Sequence, residues 1–203
     1  MGEKIYKFSS LNEFARDIII TEKFFFSDWE KMNDPMEGLF QYYKEDHSRQ
    51  EIVALYTEKN KYGISCFSKN YNEILMWSHY ADNHNGICIE VEIDRALCSK
   101  DKIEIKDMEY KKNIQMLLKD DGTTPDVIEL LSKKITKWDY EKEIRFFCKN
   151  KNSLYKIGKI KSIFIKKGSN KINLIKEYIN NKNIEIIEVE LDFNTNKVIK
   201  ANS

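Results

Sequence analysis

The hydrophobic pattern changes period repeatedly along the chain and predicts a mixture of short strands and short helices. Residues 4–8 (KIYKF) read as a strand, and Ser10 with Glu13 three positions on forms a capping box for a helix over about 11–19. The aromatic stretch 22–27 is strand-like, 48–59 suits a helix, 62–67 a strand, and 71–81 a short helix carrying Met76, Trp77 and Tyr80. Asn83-His84-Asn85-Gly86 is a turn that opens the alternating strand 87–93 (ICIEVEI), and 102–110 alternates again. Thr124, with Pro125 at the first helical position, predicts a helix over about 125–137. Strands follow at 142–149, 153–157 and 160–166, then a helix at 171–181, a strand at 184–192 and a short strand at 197–200.

Helices and strands are mixed here without the strict β-α-β repetition of a doubly wound sheet. The predicted fold is therefore α+β, with largely antiparallel or mixed sheets and flanking helices. No Pro/Gly/Ser-rich linker, repeat or low-complexity block interrupts the 203 residues, so 1–203 reads as a single domain whose C-terminal part, 142–203, is basic and β-rich. The aromatic content (11 Phe, 11 Tyr, 3 Trp) argues against a disordered chain, which lacks the apolar area to offset ordering entropy. No apolar run approaches the ~20 residues of a membrane span, and the start MGEKIYKF lacks the apolar middle of a secretory signal. The expectation is a cytoplasmic protein with no membrane partner.

Cys66, Cys88, Cys98 and Cys148 are widely spaced and read as reduced, buried thiols; neither they nor the three histidines form a metal-binding pattern. The phosphate-cradling patterns GxGxxG and GxxxxGK[ST] are absent. Net charge is only +1, but it is unevenly distributed. Residues 1–100 carry 12 basic and 17 acidic side chains, net −5, and residues 101–203 carry 22 and 16, net +6. Between Lys142 and Lys176 lie eleven basic residues and one acid, Glu143.

Three segments crowd polar, aromatic and turn residues together. In Asn33-Asp34-Pro35-Met36-Glu37-Gly38, Asp34 and Glu37 could present carboxylates from a rigid turn as a general base or ribose-hydroxyl acceptor, although an ordinary Asx-turn suits the same residues better. In Met76-Trp77-Ser78-His79-Tyr80, Trp77 and Tyr80 share a helix face. Either could stack on a planar ligand, and His79 could act as acid, base or phosphate donor. The plain alternative places Trp77 in the core and leaves His79 and Tyr80 open. In Trp138-Asp139-Tyr140-Glu141-Lys142-Glu143-Ile144-Arg145, a strand would set Glu141, Glu143 and Arg145 on one face. They would form either a structural ion pair or a carboxylate oriented for chemistry, with Arg145 binding an anion. Lys outnumbers Arg 30 to 4, so an arginine at that position stands out for its planar, bidentate fork.

In order, the YKF start, FFFS…NDPMEG, SCFS, MWSHYA…GICIEVEID and KWDYEKEIRF resemble the bacterial and phage family called domain of unknown function 2971, over about residues 4–150. Met32 and Val91 depart from its aromatic preferences without touching a polar candidate. The family name carries no activity. A more distant resemblance, to ADP-ribosyltransferases, implies an enzyme acting on NAD or another nucleotide-type small molecule. Under it Glu143 or Glu141 would stabilise an oxocarbenium-like transition state, with Tyr6 and Lys7 near the nucleotide and Trp77 or Tyr80 facing the nicotinamide. Two other classes stand beside it: a nucleic-acid-binding protein using the basic tract 142–176, and a non-catalytic partner-binding module anchored on Trp77, Tyr80 and Trp138.

Overall fold

An eight-stranded sheet organises the residues that the computed structural model describes, 2–34, 38, 49–113 and 126–201. In chain order the first half supplies β1 (Lys4–Ser9), α1 (Glu13–Thr21), β2 (Phe24–Phe26), α2 (Arg49–Lys59), β3 (Gly63–Ser68), α3 (Ile74–Tyr80), β4 (Ile87–Ile93) and α4 (Arg95–Lys100). The second half supplies β5 (Glu104–Asp107), β6 (Glu109–Lys111), α5 (Val127–Leu130), β7 (Lys133–Ile135), β8 (Glu143–Cys148), β9 (Ser153–Tyr155), β10 (Gly158–Lys166), α6 (Ile172–Tyr178), β11 (Glu185–Asp192) and β12 (Lys197–Lys200). The sheet order is β12-β11-β10-β4-β1-β3-β8-β5. Its neighbours run antiparallel except β10 and β11, which are parallel and joined through α6. This is the α+β, mixed-sheet architecture expected from the pattern.

Alternation divides the sheet's residues between two buried faces. Ile5 of β1 and Ile89 of β4 face α1 and α6, where Ala15, Ile19 and Ile175 cover them. Phe8 and Cys88 face α3 on the other side, where Trp77 meets Phe8 edge-on at 5.6 Å. Each such fully buried apolar side chain is worth about 1.5–3 kcal/mol relative to exposure.

The pairing of β1 is asymmetric. It matches β4 along its whole length, from Lys4↔Glu92 to Ser9↔Ile87, but touches β3 only at Tyr6↔Ser68. Further along β3, the edge that β1 leaves is taken by Ser27, which exchanges two backbone hydrogen bonds with Ile64 (3.0 and 2.8 Å). A gap therefore opens in mid-sheet between β1 and β3, while β3 stays fully paired with β8 on its other side.

Two local expectations need correction. The first helix is capped by Asn12, whose Oδ1 accepts from the Ala15 amide at 3.1 Å, so Ser10 is not the cap and the helix starts at Glu13. The helix expected over 125–137 is four residues long among the described residues, and Thr124 and Pro125 lie outside them. Lys133–Ile135 leaves it to pair with β6, and Thr136–Glu141 then winds into a 3-10 turn. Tertiary pairing outweighs the helical preference of this stretch.

Candidate functional site

The gap between β1 and β3 is a cavity of about 380 Å³, within the range of small-molecule pockets. Tyr6, Lys7 and Ser9 come from β1, Cys66 and Ser68 from β3, and Tyr80 from α3. The charged floor comes from Lys134 of β7, Glu141 at the end of the 3-10 turn, and Glu143 and Arg145 of β8. Phe14 (77% exposed) and Phe25 (45% exposed) present ring surface at the lining. In the lining Lys134 and Arg145 are matched by Glu141 and Glu143, which leaves Lys7 and Lys31, the latter 3.7 Å from Asp28, as the further cations.

The floor is one connected network. Arg145 is fully buried; its Nε donates to Glu143 Oε1 at 2.7 Å, its Nη2 to Oε2 at 3.2 Å, and its Nη1 to the Leu131 carbonyl at 2.5 Å. Lys134 Nζ bridges the two acids, at 2.6 Å from Glu141 Oε2 and 2.8 Å from Glu143 Oε2. Tyr80 donates its hydroxyl to Glu141 Oε1 at 2.6 Å. Ser68 Oγ donates to the Glu141 carbonyl at 2.7 Å, and the Glu143 amide donates to the Tyr110 hydroxyl at 2.9 Å. Two positive and two negative charges are thus desolvated together, and each is tolerated because the others are there.

The two acids have opposite electrostatics. Burial alone would raise both. For Glu143 the adjoining Arg145 and then Lys134 outweigh it and hold the carboxyl well below the usual range. For Glu141 burial prevails over the Lys134 attraction, with help from the neighbouring Glu143 charge, and its carboxyl sits above the usual range. Burial likewise lowers the Lys7 ammonium and pushes the Cys66 thiol up to about 12, so Cys66 is not an activated thiolate. The Tyr80 hydroxyl is raised by burial and by its bond to Glu141, and remains a donor.

The structure gathers Tyr6, Lys7, Asn33, Tyr80, Glu141, Glu143 and Arg145 at this cavity. Trp77 is in the core instead: it is 1% exposed and its Nε1 donates to the Tyr71 carbonyl at 2.6 Å. His79 is on the exposed side of α3, with ring contacts to Tyr80 and Tyr140, and does not line the cavity. Asp34 is buried outside the cavity lining, and Glu37 lies outside the described residues. Glu141 does not share strand alternation with Glu143 and Arg145. It ends the 3-10 turn, and Lys142 at φ 42° in the left-handed region links the two carboxylates. The sequence reading passed over Lys134, Ser68 and Tyr110. Lys134 is one of 30 lysines, and nothing local distinguishes it; Ser68 ends the SCFS motif, which was the available signal.

The basic tract has a different environment from the one its composition suggests. Eight of its eleven cations form ion pairs: Arg145 with Glu143, and seven lysines with carboxylates outside the tract. Lys151–Asp28, Lys149–Glu58, Lys161–Glu92 and Lys171–Asp82 join it to the acidic first half of the chain. Among the described residues no group of acids, histidines and cysteines is arranged to hold a metal ion, and no helix is long and apolar enough to cross a membrane.

Fold and site define an α+β protein with a buried lysine–glutamate–arginine network under a mid-sheet cavity. Residues 76–146 match the model of the family described as Protein of unknown function (DUF2971), which bears out the resemblance read from the motifs. The matched stretch holds the floor of the cavity, Tyr80, Lys134, Glu141, Glu143 and Arg145, while the wall formed by Tyr6, Lys7, Cys66 and Ser68 precedes it. No curated protein and no solved structure matches the chain.

Proposed function

We propose that the β1/β3 cavity binds a nucleotide-type ligand, with NAD the first candidate, and that the protein cleaves the bond between its ribose and nicotinamide. The observation carrying this reading is the setting of Glu141: a buried carboxylate at the cavity, oriented by Tyr80 on one oxygen and Lys134 on the other, and paired with one cation where Glu143 is paired with two. When the C1′–N bond breaks, the electron pair leaves with nicotinamide and positive charge develops on the ribose. A pre-placed carboxylate stabilises that charge in a low-dielectric site. Water or another acceptor then bonds to C1′ and loses its proton. Lys7 and Lys31 at the lining are the groups that would meet the pyrophosphate. Glu143, itself held by Arg145, fixes Lys134, which in turn holds Glu141, so of the two acids Glu141 takes the stabilising role.

The test is nicotinamide release from NAD by the wild type and by Glu141→Gln, with calorimetric titration of NAD into both. Release by the wild type and its loss in the variant support the reading. Absence of release with any acceptor, together with absence of NAD binding, sinks it. A nucleic-acid-binding role draws less support, because most cations of the 142–176 tract already face carboxylates that an incoming phosphate would have to displace.

A further inference from the structure

A second cavity, of about 580 Å³, lies on the α3 side of the sheet, between the 81–86 turn and the β11–β12 hairpin. Its wall is apolar: Trp77, Val189 and Val198 are buried core residues, and Leu191 continues the row along β11. At the hairpin turn Phe193 is 86% exposed beside this cavity, a large ring left in water next to an apolar wall. The polar part of the lining is basic. Lys166 and Lys167 follow one another at the end of β10, opposite Asn83 and His84, and Glu190 is the acid present, 3.5 Å from Lys167. Burial and then the Lys166 charge lower the His84 pKa, and in either charge state the imidazole has an N–H to donate.

The backbone adds a separate observation. Asp82, Asn83 and His84 hold φ of 50°, 50° and 66°, three successive left-handed residues none of which is glycine. The run is closed by His84 N–H donating to the Trp77 carbonyl at 3.2 Å and Gly86 N–H to the Ala81 carbonyl at 2.7 Å. Unfavourable conformations of this kind persist where the surroundings over-determine them, and they gather at ligand sites. Here the run sets Asn83 and His84 on the rim facing the two lysines.

We infer that this cavity binds a small aromatic anion, its ring against Phe193 and the apolar wall and its carboxylate, sulfonate or phosphate between Lys166, Lys167 and His84. The ring requirement follows from the exposed phenyl and flat apolar wall; the charge requirement follows from two lysines and a donor imidazole against one carboxylate. The site shares no polar residue with the β1/β3 cavity and stands independently of the NAD reading.

The experiment uses anilinonaphthalene sulfonate, an aromatic anion that fluoresces in apolar surroundings, and its uncharged counterpart phenylnaphthylamine. Saturable binding of the sulfonate is expected, with about tenfold weaker binding of the uncharged dye. Phe193→Ala and the double variant Lys166→Ala/Lys167→Ala each weaken the sulfonate about tenfold, while Glu141→Gln does not alter it. All these positions but Glu141 are at the surface, and circular dichroism verifies that each variant is folded. Adenosine monophosphate and benzoate then compete for the site: displacement by the first alone assigns a nucleotide, and displacement by benzoate a simple aromatic acid. The inference is overturned if the sulfonate fails to bind, if the Phe193 and lysine variants bind it unchanged, if both dyes bind alike, or if neither competitor displaces it.

Discussion

Lys7 reaches across the gap between β1 and β3 and donates its ammonium to the Cys66 carbonyl at 2.9 Å. Cys66 lies between Ile64, which pairs with Ser27, and Ser68, which pairs with Tyr6, so its carbonyl faces the part of the gap where no strand pairs. A side chain supplies the donor that a neighbouring strand would otherwise provide. The same ammonium lies 5.3 Å from the Phe67 ring centroid, a second interaction favouring its charge.

Lys7→Met keeps the stem and removes the donor. The Cys66 carbonyl then loses its partner, and denaturant unfolding should register a loss of about 1–3 kcal/mol. Hydrogen exchange should locate the loss in β1 and β3; an unchanged midpoint would show that water replaces the ammonium at no cost.

Breaking the buried pair should cost more. Arg145→Leu or Glu143→Gln each leaves a desolvated charge without its counterpart, with an expected loss of about 3–5 kcal/mol. The double variant Glu143→Gln/Arg145→Leu should lose less stability than the sum of the two single losses, because the second change removes the charge the first one stranded. Urea titration of the three proteins measures this coupling.

The two acids shape the pH dependence in opposite directions. Glu143 is depressed in the folded state, so its contribution is complete above the unfolded value of about 4.3 and is lost as pH falls through its lower folded value. Glu141 is raised, so folding is favoured most below about pH 4.3, and that contribution is lost as pH rises through its folded value. Thermal melts of Glu143→Gln should therefore be flatter than wild type at acid pH, and those of Glu141→Gln flatter above it. If nicotinamide release occurs, its acid limb should lie above the ordinary glutamate range, since Glu141 acts as the carboxylate.

Ser65 supplies a control. Its hydroxyl is buried with no hydrogen-bond partner among the described residues. Ser65→Ala removes an unsatisfied polar atom without opening much space, and the expected change in stability is neutral to favourable, within about 1 kcal/mol. A marked loss would reveal a partner for the hydroxyl.

The strands were legible in the sequence because their period-2 alternation is local: 87–93 is read at the same bounds as β4, and 4–8 and 142–149 agree with β1 and β8 to within a residue at either end. The Glu143–Arg145 pair was legible for the same reason, two residues apart on one strand face. The gap was not, since nothing within KIYKF or GISCFS tells that β1 meets β3 at one position and that Ser27 takes the rest of the edge. Lys134 was hidden by a non-local cause as well. Its helical surroundings give way to a pairing with β6, and only then does it stand between two acids seven and nine residues later. The tract of lysines is the opposite case: composition records its charges but not the carboxylates that face them.

The order of strands bears on what could be isolated from this chain. Within the matched segment 76–146 lie β4 and the first four residues of β8, yet in the sheet β1 and β3 stand between them. β4 and β8 therefore share no hydrogen bonds. A fragment restricted to 76–146 would keep β5 beside the start of β8 but leave both edges of β4 and the β3-facing edge of β8 open, an invitation to intermolecular pairing. The matched stretch is a signature carried by the fold, and any unit that joins β4 to β8 must also include residues 4–9 and 63–68.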